Sequence, residues 1–406
     1  MPLIPGLNLQ NPDTLRLFAA RALRMFAYGF LSVVLVLHLA ALGFSEGRIG
    51  LLLTLTLAGD ALISLAIALH ADRLGRKRML LLGAGLMVGA GLPFALSGSF
   101  WVLLVAATLG VISPSGNEVG PFLALEQAAL AQVVPEARRT ATFAWYNLSG
   151  SFATAAGALA GGGAAQLLQA SGWTPLASYR ALLVAYAAAG LFLGSVFLRL
   201  SSAIEAIPSA VASRFGLHRS TGVVARLSGL FALDAFAGGL VIQSFLAYWF
   251  HRRFGAAPAT LGAIFFTANL LAGLSSLYAV RLAGRIGLIR TMVVTHIPSN
   301  VLLILVPLMP SLPLAIAMLL LRFSISQMDV PTRQAYLMQA VAPDERAAAA
   351  GITGIARTTG ASLSPVLAGA LLAAPALGAV PFLLAGGLKI AYDLLLYRGF
   401  KTSEQG

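Results

Sequence analysis

Apolar residues run along this chain in long blocks separated by short polar turns, without the two-residue alternation of a half-buried strand. Measured against roughly 20 residues for a hydrocarbon core of about 30 Å, blocks of spanning length lie at 17–43, 49–70, 79–97, 101–133, 140–168 and 179–200. After a polar stretch come six more, at 223–250, 258–281, 291–309, 312–340, 347–374 and 377–398. The pattern predicts an all-α membrane protein with twelve transmembrane helices: an N-terminal six-helix half over 1–200, a cytoplasmic linker over 201–222 and a C-terminal half over 223–406. Arg16, Arg21 and Arg24 at the start of the first block resemble a signal-peptide n-region. The block continues to Gly43 with no small-residue cleavage site, so it is read as a retained first helix.

Composition agrees with the pattern. The chain is 58% hydrophobic and 10% charged, whereas a soluble domain carries roughly 45–50% apolar and about 25% charged residues. Lipid is therefore the expected outer solvent. The net charge of +13 is not gathered into a basic stripe interleaved with aromatics, which argues against a nucleic-acid partner. Basic residues instead fill alternate loops: Arg73, Arg76, Lys77 and Arg78, then Arg138 and Arg139, then Arg281, Arg285 and Arg290. The opposite side holds Arg48, Arg180, Arg252 and Arg253. This bias predicts a multi-pass protein of the cell membrane with both termini in the cytoplasm. With no cysteine, disulfides, thiolate metal sites and Cys nucleophiles are excluded.

The halves echo one another. Ala71-Asp72-Arg73-Leu74-Gly75-Arg76-Lys77-Arg78 after the second block returns as Ala283-Gly284-Arg285-Ile286-Gly287-Leu288-Ile289-Arg290 after the eighth. Glu126 to Gln132, followed by Pro135 and Arg138, returns as Arg333 to Gln339, followed by Pro343 and Arg346. Two such echoes half a chain apart predict two pseudo-symmetric six-helix bundles.

Residues 68–77, Ala-Leu-His-Ala-Asp-Arg-Leu-Gly-Arg-Lys, resemble the G-x-L-A-D-R-x-G-R-K signature between helices 2 and 3 of the major facilitator superfamily, departing from it at Ala68 and His70. The resemblance extends over the whole topology. It implies the superfamily's secondary-transporter fold, a cavity lined by helices 1, 4, 7 and 10, and a latch on the outward-facing state formed around Asp72, Arg73 and Arg76. Locally, Asp72 can face a helix N-terminus and Gly75 permits a tight turn. Drug-antiporter branches also carry an Arg in helix 4 and G-x-x-x-G-P in helix 5; neither is present here, which argues against multidrug export. Gly150, Gly157, Gly161, Gly162 and Gly163 are read as close-packing positions.

Ionisable groups at membrane depth are costly and so are functional candidates. From the roughly 1.5 Å rise per residue, Asp60, Glu118, Asp234 and Asp329 fall near the midplane. Helix 4 is interrupted by Ser113-Pro114-Ser115-Gly116-Asn117-Glu118-Val119-Gly120-Pro121 and helix 10 by Ser326-Gln327-Met328-Asp329-Val330-Pro331-Thr332. Such paired breaks point to a transporter's solute site. Asn117, Glu118, Gln327 and Asp329 lead the candidates for substrate binding and coupling, joined by Asp60, Asn300, Asp234 as proton carrier, and Gln243 on the same helix as Asp234. Arg21, Arg24, Arg322, Arg333 and Arg357 also enter the membrane, and some must neutralise the acids. Glu126 and Arg333, at matching repeat positions, are the expected salt bridge. His296 and His38 are expected to satisfy local backbone groups.

No nucleophile and base converge at recognisable spacing, and neither H-E-x-x-H nor a P-loop is present, so no enzyme activity and no cofactor are expected. The reading is a monomeric secondary transporter of a small polar or ionic solute working by alternating access, coupled to protons and exporting. The acids suit a cation or metal and the arginines an anion, which keeps an anion or metal-ion uptake permease open, as well as a non-transporting receptor or scaffold on the same fold.

Overall fold

A computed structural model describes residues 11–205 and 217–400, except for the side chains of Ala68, Asp72, Ala137, Thr140 and Ala347. Most of the expected linker and the side chain of Asp72 therefore lie outside the described residues.

The described chain is helical, with no strand among the described residues. In the first part come α1 (Pro12–Ala41), α2 (Glu46–Leu74), α3 (Arg76–Leu96), α4 (Phe100–Leu109), α5 (Phe122–Val133), α6 (Glu136–Ala170) and α7 (Pro175–Leu198). The second part holds α8 (Thr221–Gly239), α9 (Gln243–Phe254), α10 (Pro258–Ile286), α11 (Leu288–Leu305), α12 (Leu312–Ser326), α13 (Asp329–Ala340), α14 (Arg346–Ala373) and α15 (Val380–Phe400). Among the described residues, nine helical stretches are long and apolar enough to cross a membrane. Starts follow ordinary capping rules: Asn11 accepts the N–H of Asp13 ahead of Pro12, and Thr174 accepts that of Ala177 ahead of Pro175. The break foreseen in the fourth block separates α4 from α5, and that in the tenth separates α12 from α13. A third, unforeseen, separates α8 from α9, so Gln243 does not share a helix with Asp234.

The chain forms two compact units. One comprises Met1–Phe44, Leu55–Ala210 and Ala257–Phe266; the other comprises Ser45–Thr54, Val211–Ala256 and Thr267–Gly406. In the first, α1 packs on α6 and α7, and α3 on α7; in the second, α8 packs on α14 and α15, and α11 on α15. The second list is the first transposed through the repeat.

Between α1 and α6 the helices meet backbone to backbone. A Cβ at Gly29 would strike the Thr154 carbonyl, one at Gly157 that of Phe26, and one at Gly161 that of Phe30. The α8–α14 contact repeats this, with Gly239 against Ser364 and Gly360 against the Ala232 carbonyl. Small residues here substitute for an absent hydrophobic drive, since lipid is as apolar as leucine. Large apolar side chains such as Leu62, Leu69, Trp101 and Leu167 are left on the exterior, while Arg24, His38, Glu126 and Asp393 are fully buried.

The echoed loops adopt the same turn: Gly75 and Gly287, at φ 97° and 89°, precede α3 and α11. After Gly75, the backbone N–H groups of Arg76 and Lys77 donate to Glu205, and Lys77 Nζ donates to the Leu200 carbonyl at 2.7 Å. A carboxylate thus caps α3. Glu345 does the same for α8, accepting from the N–H groups of His218, Arg219 and Ser220.

Two outcomes follow from these contacts. Gly157→Val is expected to lower the thermal midpoint of the purified protein by the equivalent of about 1–3 kcal/mol, the usual cost of overpacking. Gly163→Ala, with nothing within 4 Å of the added methyl, is expected to be neutral or to stabilise by up to about 1 kcal/mol. The Ser220 hydroxyl and the Arg219 and His218 N–H groups hold the Glu345 pKa down to about 2, from 4.5. Its contribution is complete above about pH 4.5 and lost as pH falls through about 2. The difference in melting temperature between wild type and Glu345→Gln should shrink over that window, and a difference constant with pH would contradict it.

Candidate functional site

Ionised side chains gather at two places, one in each unit. In the first, α1 presents Arg21, Arg24 and Tyr28 inward at spacings that share a helix face. Arg21 Nη1 lies 2.7 Å from Glu118 Oε2, its Nε donates to the Tyr146 carbonyl at 2.9 Å, and its guanidinium covers the Tyr146 ring at 4.5 Å. Arg24, wholly buried, contacts both Glu118 and Glu126 and lies 4.6 Å over the Phe122 ring. The Tyr146 hydroxyl donates to Glu126. Two guanidinium groups therefore face two carboxylates.

Glu118 is delivered by the irregular segment between α4 and α5, whose backbone has no helical partners at that depth. Side chains supply them: Ser113 Oγ donates to the Asn117 carbonyl at 2.7 Å, Tyr28 to that of Val119 at 3.1 Å and Tyr186 to that of Val111 at 2.8 Å. Asp60 accepts the Gly120 N–H at 2.6 Å. Asp60 is thus engaged with this segment, while Asn117 is exposed.

In the second unit the acid at the centre is Asp234 on α8, 3% exposed. Lys389 Nζ of α15 lies 2.5 Å from its Oδ1; Arg333 Nη1 of α13 and Arg357 Nη1 of α14 each lie 3.2 Å from its Oδ2. Arg333 also reaches Asp329 at 2.7 Å, one helical turn away. His296 of α11 hydrogen-bonds Asp393 at 2.8 Å through Nδ1 and lies 3.9 Å from Asp234 through Nε2. Asn300 donates to the other Asp393 oxygen at 3.3 Å.

Glu118 and Glu126 therefore share one network, and Asp234, Asp329, Arg333 and Asn300 the other. Of the expected Glu126–Arg333 pair, each residue has partners within its own unit: Glu126 is held by Arg24 and Tyr146, and Arg333 by Asp234 and Asp329. Gln243 accepts from Asn269 at 3.2 Å instead of facing Asp234. Gln327 is the C-cap of α12. His296 meets a carboxylate where a backbone carbonyl was expected, whereas His38 does bond a carbonyl, that of Phe94, at 3.0 Å. Arg76 is fixed at the start of α3 by the carbonyls of Ala128 and Ile204, and Arg73 is exposed.

Lys389 and Asp393 were missed. Their four-residue spacing in an otherwise apolar block is a readable signal, because both must face the same buried side. The sequence reading also overlooked Gly43-Phe44-Ser45-Glu46-Gly47, which match the spacing of a nucleophile elbow; they join two helices, and Ser45 Oγ accepts the Arg48 N–H at 3.5 Å, an N-terminal cap. Among the described residues, no three His, Asp or Glu side chains converge as a metal site.

The sequence profile of the Major Facilitator Superfamily matches residues 17–250. The chain belongs to this superfamily. A Saccharomyces cerevisiae relative described as uncharacterized membrane protein YJR124C is 31% identical over 417 residues, covering 95% of this chain and 93% of that one. Among solved structures, the nucleoside transporter NupG superposes with a TM-score of 0.71 at 14% identity, over 96% of this chain and 100% of that one. A bacterial homolog of the human lysosomal transporter Spinster, inward-facing and occupied, gives 0.69 at 18% identity, over 95% of each chain. The D-xylose–proton symporter gives 0.68 at 16%, over 95% and 97%. These likenesses establish the superfamily fold, and the yeast relative extends the kinship over almost the whole chain. The chain is thus a multi-pass membrane protein of a transporter family.

Removing one partner of a fully buried pair leaves a charge stranded. Glu126→Gln is accordingly expected to destabilise the purified protein by about 3 kcal/mol or more, read as a lowered denaturation midpoint. Glu126→Gln combined with Arg24→Met should recover part of that loss, and an additive double mutant would contradict the network.

Proposed function

We propose that this superfamily member is a secondary active transporter that carries a small polar or ionic solute through the membrane by alternating access, coupled to protons. Its helices are read as twelve spans in two six-helix halves, the pairs α4/α5, α8/α9 and α12/α13 each counting as one broken span. The observation that carries the proposal is the pair of buried ion networks, each placed beside a helix break. A packing scaffold gains little from charges at that depth, since apolar residues of like volume would stabilise it as well. Both networks contain carboxylates able to trade a cation for a proton, which is the exchange that proton coupling requires. Both termini are assigned to the cytoplasm and the membrane to the cell surface on the loop charge bias.

Export is the leading direction. A second reading, uptake of an anion, is favoured by one observation: in the second unit Asp234 serves three cations at once.

Vesicles distinguish these readings. Everted vesicles with an acid lumen are expected to accumulate the solute of an exporter by proton exchange, and a protonophore to abolish accumulation. Accumulation in right-side-out vesicles under an outside-acid gradient would establish uptake instead. Flux indifferent to the gradient in both would refute proton coupling, and absence of counterflow in sealed proteoliposomes would refute transport.

A further inference from the structure

The two networks differ in charge. Around Asp234 the cationic side chains are Arg333, Arg357 and Lys389, and Arg322, in the same unit, adds a fourth whose Nε is buried without a hydrogen-bond partner. The carboxylates are Asp234, Asp329 and Asp393. Four cations against three anions leave a positive surplus even with His296 neutral. In the first unit the Arg21, Arg24, Glu118 and Glu126 charges cancel. A low-dielectric surrounding magnifies such a surplus, so it must be met by something.

Geometry indicates where. Arg357 spends one nitrogen on Asp234, and a third of its side-chain surface, 34%, stays open. It stands some eleven residues into α14, about 16 Å along the axis. A guanidinium at that depth cannot face hydrocarbon, so its open side borders an aqueous path. Arg322 Nε is buried without a hydrogen-bond partner, its guanidinium 5.0 Å from the Phe323 ring. Donors are thus in excess and one is unused, whereas Asp234, Asp329 and Asp393 are each already engaged.

Resting on the anion reading above, we infer that the C-terminal unit holds an anion site in which Arg357 and Lys389, backed by Arg333 and Arg322, clasp a carboxylate or phosphate group of the solute. Asp234 is the resident counter-ion of that site. It keeps the cations together in the empty state and yields them to the incoming anion. A cationic solute would add to the surplus, and a neutral one would leave it unmet. The planar fork of Arg357 matches the two oxygens of a carboxylate or phosphate, whereas Lys389 acts as a point charge.

Thermal shift on the purified full-length chain in neutral detergent tests this, with sodium succinate and inorganic phosphate as probes and sodium chloride, choline and glucose as controls at matched ionic strength. Saturable stabilisation by succinate or phosphate is expected, weakened at least tenfold in Arg357→Gln and unaffected in the surface control Arg290→Gln. Asp234→Asn, which removes the competing carboxylate, is expected to tighten the anion about tenfold. If Arg357→Gln does not fold, Lys389→Gln makes the same comparison. Phosphatidylglycerol against phosphatidylcholine in mixed micelles separates the sources of the phosphate: stabilisation by the former alone, lost with the Arg357 or Lys389 variant, upholds the site and assigns it to a lipid headgroup. The proposal is overturned if neither anion nor anionic lipid stabilises the wild type, if both cation variants bind the anion unchanged, or if Asp234→Asn abolishes binding. Counterflow keeps the two claims apart: an anion bound but not exchanged leaves the site standing and removes the anion-uptake reading. Exchange of choline or glucose indifferent to anions leaves transport standing and removes the site.

Discussion

An ionised side chain in hydrocarbon must have a partner, and much of this structure is arranged around that requirement. Moving an ion out of water costs several kcal/mol even after relaxation, more than most single contacts return. Arg24 is wholly buried, so α5 must supply Glu126 and the segment before it Glu118, while Tyr146 must come close enough on α6 to complete the set. The close backbone approach of α1 to α6 at Gly29, Gly157 and Gly161 serves the same end, because a side chain at those positions would hold the helices apart and lengthen the ion contacts.

The repeat keeps a cation–anion pair at equivalent positions while exchanging the signs. One and the same interval separates Arg24 from Asp234, Gly29 from Gly239, and Thr154 from Ser364. Where α1 brings a cation to an acid on α5, α8 brings an acid to a cation on α13. The small-residue crossings are carried over together with the charges. What the fold demands at these positions is a matched pair linking two helices; which helix bears which sign is free to vary, and the α8 side has gathered additional cations from α14 and α15.

Much of this was legible beforehand and some was not, for physical reasons. Long apolar blocks revealed the helices because hydropathy over a span is a sum of many residues. The breaks at Glu118 and Asp329 were visible because proline and glycine interrupt a helix locally. The break between α8 and α9, at Leu240-Val241-Ile242, directly follows Gly238-Gly239, a signal that went unread because no polar residue stands beside it. Pairings were less accessible. Arg21 and Glu118 are far apart in the chain, and nothing local in either indicates the other. Glu126 and Arg333 are instructive: within its own unit each finds a partner on the equivalent neighbouring helix, Glu126 on α1 and Arg333 on α8. Lys389 and Asp393 were hidden in plain view, since a block average dilutes two charges that their spacing would have exposed.

The two networks also differ in how firmly they are built. Glu118 rides on a non-helical segment whose carbonyls are held by Ser113, Tyr28 and Tyr186 and whose Gly120 N–H is held by Asp60. Moving that carboxylate would release several backbone groups into a medium that offers no substitute. Asp234 sits on a regular helix, and what fixes its carboxylate is a set of ion pairs with three side chains, one of them partly open. Long cationic side chains can pass from one anion to another without disturbing any helix. Exchange of a counter-ion therefore strains the second network far less than the first, and the half with the surplus of cations is also the half able to give one up.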